Sequence, residues 1–91
     1  MKKIRAIIRF TGLVQGVGFR FFVRRNAEKL GVAGQVENMP DGTVKAVFEG
    51  SAEAVAQLAE VCKEGPRGAR VQNAEIEYED FRGEFSGFGI E

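Results

Sequence analysis

Apolar and charged residues alternate from Lys3 to Phe10. Ile4, Ala6, Ile8 and Phe10 share one parity, Lys3, Arg5 and Arg9 the other, and only Ile7 departs from the pattern. A two-residue period predicts a strand with one buried face. The period then changes: Phe19, Phe22, Val23, Ala27 and Leu30 fall on one helical stripe, with Arg24, Arg25, Glu28 and Lys29 elsewhere, and Gly31 stands where a helix would end. The predicted helix runs from about Phe19 or Arg20 to Leu30. Gly34 to Asn38 reads as a second strand with Val36 inward, Asn38-Met39-Pro40-Asp41-Gly42-Thr43 as a turn, and Val44, Ala46 and Phe48 as the inward positions of the return strand.

Ser51 is the expected N-cap of a second helix, whose apolar face is Val55, Leu58, Ala59 and Cys62, and Gly65-Pro66-Arg67-Gly68 ends it. Ala74, Ile76 and Tyr78 then alternate with Asn73, Glu75, Glu77 and Glu79 as a fourth strand, and a short fifth is expected around Phe85 to Ile90. The order βαββαβ with a short terminal strand points to an α+β fold, a ferredoxin-like α/β sandwich with two helices on one face of an antiparallel sheet. Arg5, Arg9, Gln35, Glu37, Lys45, Glu75 and Glu77 would line a solvated opposite face. At 91 residues the whole chain, 1–91, is expected to form one domain.

Composition narrows the chemistry. Thirteen Lys and Arg balance thirteen Asp and Glu, so the field expected of a general nucleic-acid binder is missing. Histidine is absent, which removes the commonest neutral-pH base and the commonest zinc ligand. Cys62 is the one cysteine and has no partner for an internal disulfide. No apolar run approaches membrane-spanning length, and Met1-Lys2-Lys3-Ile4-Arg5 leads into no apolar signal segment, so a cytoplasmic protein is expected.

Val14-Gln15-Gly16-Val17-Gly18-Phe19-Arg20 lies between the first strand and the first turn of a helix. Unpaired main-chain N–H groups gather at such a place, and the helix dipole favours an anion there. Glycines let the backbone curl around phosphate oxygens, and Arg20 at the rim adds a planar, permanently charged fork. The plain alternative is a glycine-rich connection with an exposed arginine. Neither G-x-x-x-x-G-K-[ST] nor the last glycine of G-x-G-x-x-G is present, so ATP and NAD lack support.

The stretch from Gly12 to Arg20, followed by Gly34-Gln35-Val36-Glu37-Asn38-Met39-Pro40-Asp41-Gly42-Thr43-Val44 and Gly50, resembles the two signatures of the acylphosphatase family. The similarity extends through Gly65-Pro66 and the segment from Gly83 to Phe88. It implies that the amides from Val14 to Arg20 (Val14, Gln15, Gly16, Val17, Gly18, Phe19 and Arg20) and the Arg20 side chain hold a phosphoryl group, while Asn38 orients the attacking water. It further implies a small acyl phosphate as substrate and inorganic phosphate as product. No cofactor or metal, no nucleic-acid or membrane partner, and a monomer are expected. Gln35 stands where the family usually has an aromatic, and Glu37 is also less usual.

The chemistry is consistent with that implication. An alkoxide leaving group would call for a general acid or a metal, whereas a carboxylate, whose conjugate acid has a pKa of about 4, departs unaided. Cys62 fails as a phosphatase nucleophile because the C-x5-R spacing would need arginine at Gly68, and Asp41 in Pro-Asp-Gly is a turn residue first. Two rivals are a regulatory acylphosphatase-like module without turnover and an RNA-binding ferredoxin-like domain. The first would be expected beside a further domain, and the second would need a basic, aromatic sheet face.

Overall fold

The computed structural model describes residues 2–91. Its elements are β1 (Lys3–Leu13), α1 (Phe19–Leu30), β2 (Ala33–Asn38), β3 (Val44–Ser51), α2 (Ala52–Glu64), β4 (Arg70–Asp80) and β5 (Phe88–Ile90), with sheet order β4-β1-β3-β2-β5. The first four strands pair antiparallel, but β5 pairs parallel with β2, so the sheet is mixed rather than antiparallel throughout. The reason is connectivity: residues 81–87 carry the chain across the sheet from β4 at one edge to β2 near the other. Among the described residues no helix is long and apolar enough to cross a membrane.

The alternation in β1 sets the core. Ala6 sits between Phe48 and Tyr78, Ile8 between Ala46 and Ile76, and Phe10 between Val44 and Ala74. Ala6, Ile8 and Phe10 are fully buried, as are Val23 and Ala27 of α1 and Val55, Leu58 and Cys62 of α2. Each large apolar side chain removed from water in this way stabilises the fold by about 1.5–3 kcal/mol. Tyr78 keeps its expected parity, paired with Ala6 on the core face, yet is 59% exposed. It lies near the end of the edge strand β4, so a neighbouring strand covers it on one side only.

β1 and β4 both run further than periodicity suggests, because they pair with each other beyond Phe10, through Gly12↔Val71 and Leu13↔Arg70, after a register shift at Thr11/Gly12. Only glycine tolerates that shift: a Cβ at Gly12 would lie 2.1 Å from the Arg70 carbonyl oxygen, and its φ is 127°. The two helices begin differently. Ser51 Oγ accepts from the Ala54 amide and Glu53 lies in the first turn of α2, whereas α1 starts at Gly18 with no side-chain cap and no acidic residue in its first turn.

The outer sheet face is not wholly solvated. Arg5 and Glu49, 8% and 2% exposed, form an ion pair at 3.2 Å beneath the 81–87 segment. Glu49 also accepts from the main-chain N–H groups of Arg82 (3.0 Å) and Glu84 (2.9 Å), and Phe85 lies 5.7 Å from the Arg5 guanidinium. Alternation placed Arg5 in water, but a segment more than 75 residues later in the chain covers it. Burial, the largest influence, pushes the Glu49 carboxyl up, but hydrogen bonds from the Arg82 N–H, the Arg5 guanidinium and the Glu84 N–H outweigh it and hold the group below its ordinary value.

Candidate active site

Register brings the two sequence motifs to one end of the sheet. Phe10 pairs with Val44 and Val44 with Asn38, so the loop leaving β1 emerges beside the end of β2. Both ends of that loop are pinned to the core, since Phe10 and Phe19 meet edge to face with centroids 5.0 Å apart. Within it, Val14 is buried and Val17 packs against the core, while Gly16 and Gly18 lie at the surface in left-handed conformation, φ 74° and 76°. The two valines hold the loop to the core, and the two glycines bend its backbone.

The amides of this loop are the distinctive feature of the site. Among the described residues, none of the main-chain N–H groups from Gln15 to Arg20 donates to a protein acceptor, and the first helical bond is Phe22 N–H to the Gly18 carbonyl at 3.1 Å. A row of open donors at an uncapped helix start attracts an oxyanion.

Arg20 extends from the second residue of α1, and its Nη1 donates to the main-chain oxygen of Glu91 at 2.9 Å. The Glu91 amide in turn donates to the Val36 carbonyl, two residues before Asn38 on β2. Arg20 is thereby tied to the strand that carries Asn38. The Asn38 carboxamide oxygen is buried without a hydrogen-bond partner among the described residues. An unmatched buried acceptor costs about 1–3 kcal/mol, and beside a row of open donors it marks a polar site that the protein's own groups do not complete.

The side chain of Gln15 was missed by sequence reasoning, which gave this residue a main-chain role only. Its Nε2 donates to the carbonyls of Met39 and Thr43, each at 2.9 Å, joining the loop to the β2–β3 turn. No local pattern reveals this, because both acceptors are main-chain atoms 24 and 28 residues away. Gln35 faces opposite to Val36, half-buried on the outer face and paired with Val47.

The discarded nucleophiles have structural roles. Cys62 is buried on α2, and burial pushes its thiol up to about 12, leaving essentially no thiolate at neutral pH. Asp41 Oδ1 accepts from the Thr43 hydroxyl at 2.6 Å and amide at 3.0 Å, an Asx turn, and those bonds with Thr43 hold its carboxyl below its ordinary value. Among the described residues no group of three or more His, Cys, Asp or Glu is arranged to hold a metal ion.

The fold is an α+β sandwich that gathers open amides, a guanidinium and a carboxamide at one end of its sheet. The acylphosphatase family model matches residues 6–90. An acylphosphatase of Syntrophobacter fumaroxidans is 48% identical over 90 residues, covering 99% of this chain and 93% of that protein. One from Thermococcus kodakarensis is 49% identical, covering 99% and 98%. The crystal structure of acylphosphatase from Bacillus subtilis superposes with a TM-score of 0.94 at 33% identity, covering 97% of this chain and 98% of that one. The chain belongs to the acylphosphatase family, and its activity is the hydrolysis of acyl phosphates.

Proposed function

We propose that the amides from Val14 to Arg20 and the Arg20 guanidinium hold the phosphoryl group of a small acyl phosphate while Asn38 aims a water molecule at phosphorus. The reading is carried by the open amides of Gln15 to Arg20, which no acceptor among the described residues engages. Phosphoryl transfer spreads negative charge over the equatorial oxygens, and preorganised donors stabilise that charge without reorganising during the reaction.

Water attacks in line, its oxygen bonding to phosphorus as the bond from phosphorus to the acyl oxygen breaks. The carboxylate departs as an anion and needs no proton, its conjugate acid having a pKa of about 4. The proton lost by the water passes to a phosphoryl oxygen, giving inorganic phosphate. Asn38 holds its water by hydrogen bonding alone, since a carboxamide does not act as a base near neutral pH. The chain acts as a single-domain monomer on a small molecule.

Turnover of benzoyl phosphate by purified protein in a metal chelator tests this. Arg20→Ala should cost about 3 kcal/mol of transition-state stabilisation, roughly a hundredfold in kcat/KM. Asn38→Ala should lower kcat while leaving inhibition by inorganic phosphate near the parent level. Chelator-sensitive turnover would overturn the metal-free mechanism, and full activity in both variants would overturn the site.

A further inference from the structure

The Gln15 carboxamide has two N–H donors, and its nitrogen reaches two acceptors, the carbonyls of Met39 and Thr43 at 2.9 Å each. Both carbonyls already belong to the turn: the Met39 amide donates to the Thr43 carbonyl at 2.8 Å, and the Gly42 amide donates to the Met39 carbonyl at 3.1 Å. The turn therefore closes without Gln15. What Gln15 adds is a connection between this turn and a loop that bends at Gly16 and Gly18 and whose amides make no bonds of their own among the described residues. The turn is also braced independently, by Arg9 Nη1 donating to Thr43 Oγ1 at 2.9 Å and by Asp41 accepting from Thr43. Asn38 immediately precedes this braced turn.

We infer that Gln15 is a positioning residue for the reaction: its carboxamide fixes the phosphate-holding loop against the strand end that carries Asn38, and so sets the approach of the aimed water to phosphorus. The inference rests on the proposed roles of the loop and Asn38. In-line attack is sensitive to this distance, and a misplacement of about 1 Å can cost on the order of a hundredfold in rate. The phosphate cradle itself consists of main-chain groups and Arg20, so the two functions separate: without Gln15 the loop still binds, but its register against Asn38 is lost.

The test is a double-mutant cycle of the full chain with Gln15→Met, Asn38→Ala and the pair, assayed with benzoyl phosphate and with inorganic phosphate as competitor. Methionine matches glutamine in length and lacks the donors, and each carbonyl keeps its main-chain partner, so the fold should stand. Gln15→Met should lower kcat about tenfold or more while changing the inhibition constant of phosphate less than about threefold. In the Asn38→Ala background the same change should cost no more than about twofold, because the group it positions is gone.

An equal fold-loss in both backgrounds would show a general structural role and overturn the inference, as would a loss confined to phosphate binding. If Gln15→Met does not fold, Gln15→Leu, which also lacks donors and adds no charge, is read through the same cycle with the same outcomes. An inactive parent protein would overturn the hydrolytic reading of the site and this inference with it. An active, phosphate-inhibited parent beside a Gln15 variant of undiminished kcat would overturn this inference alone.

Discussion

Two stretches of this chain direct main-chain amides to where a negative charge is stabilised, and they differ in where the charge comes from. Around Arg82 and Glu84 it is the protein's own Glu49, buried and matched by two N–H groups and the Arg5 guanidinium. From Gln15 to Arg20 no described residue supplies it. The donors are alike and the outcomes are opposite: the first stretch straps a segment onto the sheet, and the second is left open, as the proposed phosphate site requires. An internal carboxylate stabilises the fold permanently, whereas an open row of donors forgoes that stabilisation until something binds.

The largest test of this contrast is Glu49→Ala. It leaves the amides of Arg82 and Glu84 short of their acceptor, although Arg5 keeps Glu79 and Glu84, and should destabilise the protein by about 3 kcal/mol in urea unfolding. Turnover by the protein that remains folded should hold, and loss of turnover beyond loss of folded protein would mean the two stretches are not independent. A smaller effect is expected from the ligand side. Inorganic phosphate at ten times its dissociation constant should add about 1.4 kcal/mol to stability, with less in Arg20→Ala at the same concentration, and no stabilisation of the parent would leave the open amides without their proposed ligand.

The smallest effect is in pH. Glu49 is held below its ordinary value of 4.5, so its contribution is fully present above that value and is lost as pH falls through the lower folded-state value. The stability gap between the parent and Glu49→Gln should therefore narrow with acidification below about pH 4.5. A gap independent of pH would mean that the carboxylate is not the acceptor that matters.

Local features of this fold were legible, and long-range ones were not. The alternation in β1, the stripes of both helices, Gly31 after α1 and the Ser51 cap each depend on residues a few positions apart, and each was found. The parallel pairing of β5, the extension of β1 against β4 and the cover over Arg5 depend on segments far apart in sequence, which periodicity does not relate. The site divides in the same way. The motifs nominate the glycine loop, Arg20 and Asn38 as candidates, but the Gln15 bonds to two carbonyls and the link from Arg20 through Glu91 to β2 emerge only when the sheet is assembled. Tyr78 adds that parity assigns a face without saying whether anything covers it.

The unequal starts of the two helices have a dynamic consequence. α2 is sealed by Ser51 from the moment the protein folds, while the first turn of α1 has only backbone geometry to hold it. Hydrogen exchange with solvent should consequently be fast at Phe19 to Phe21 in the free protein, and the proposed oxyanion ligand should slow it by capping the helix from outside the chain.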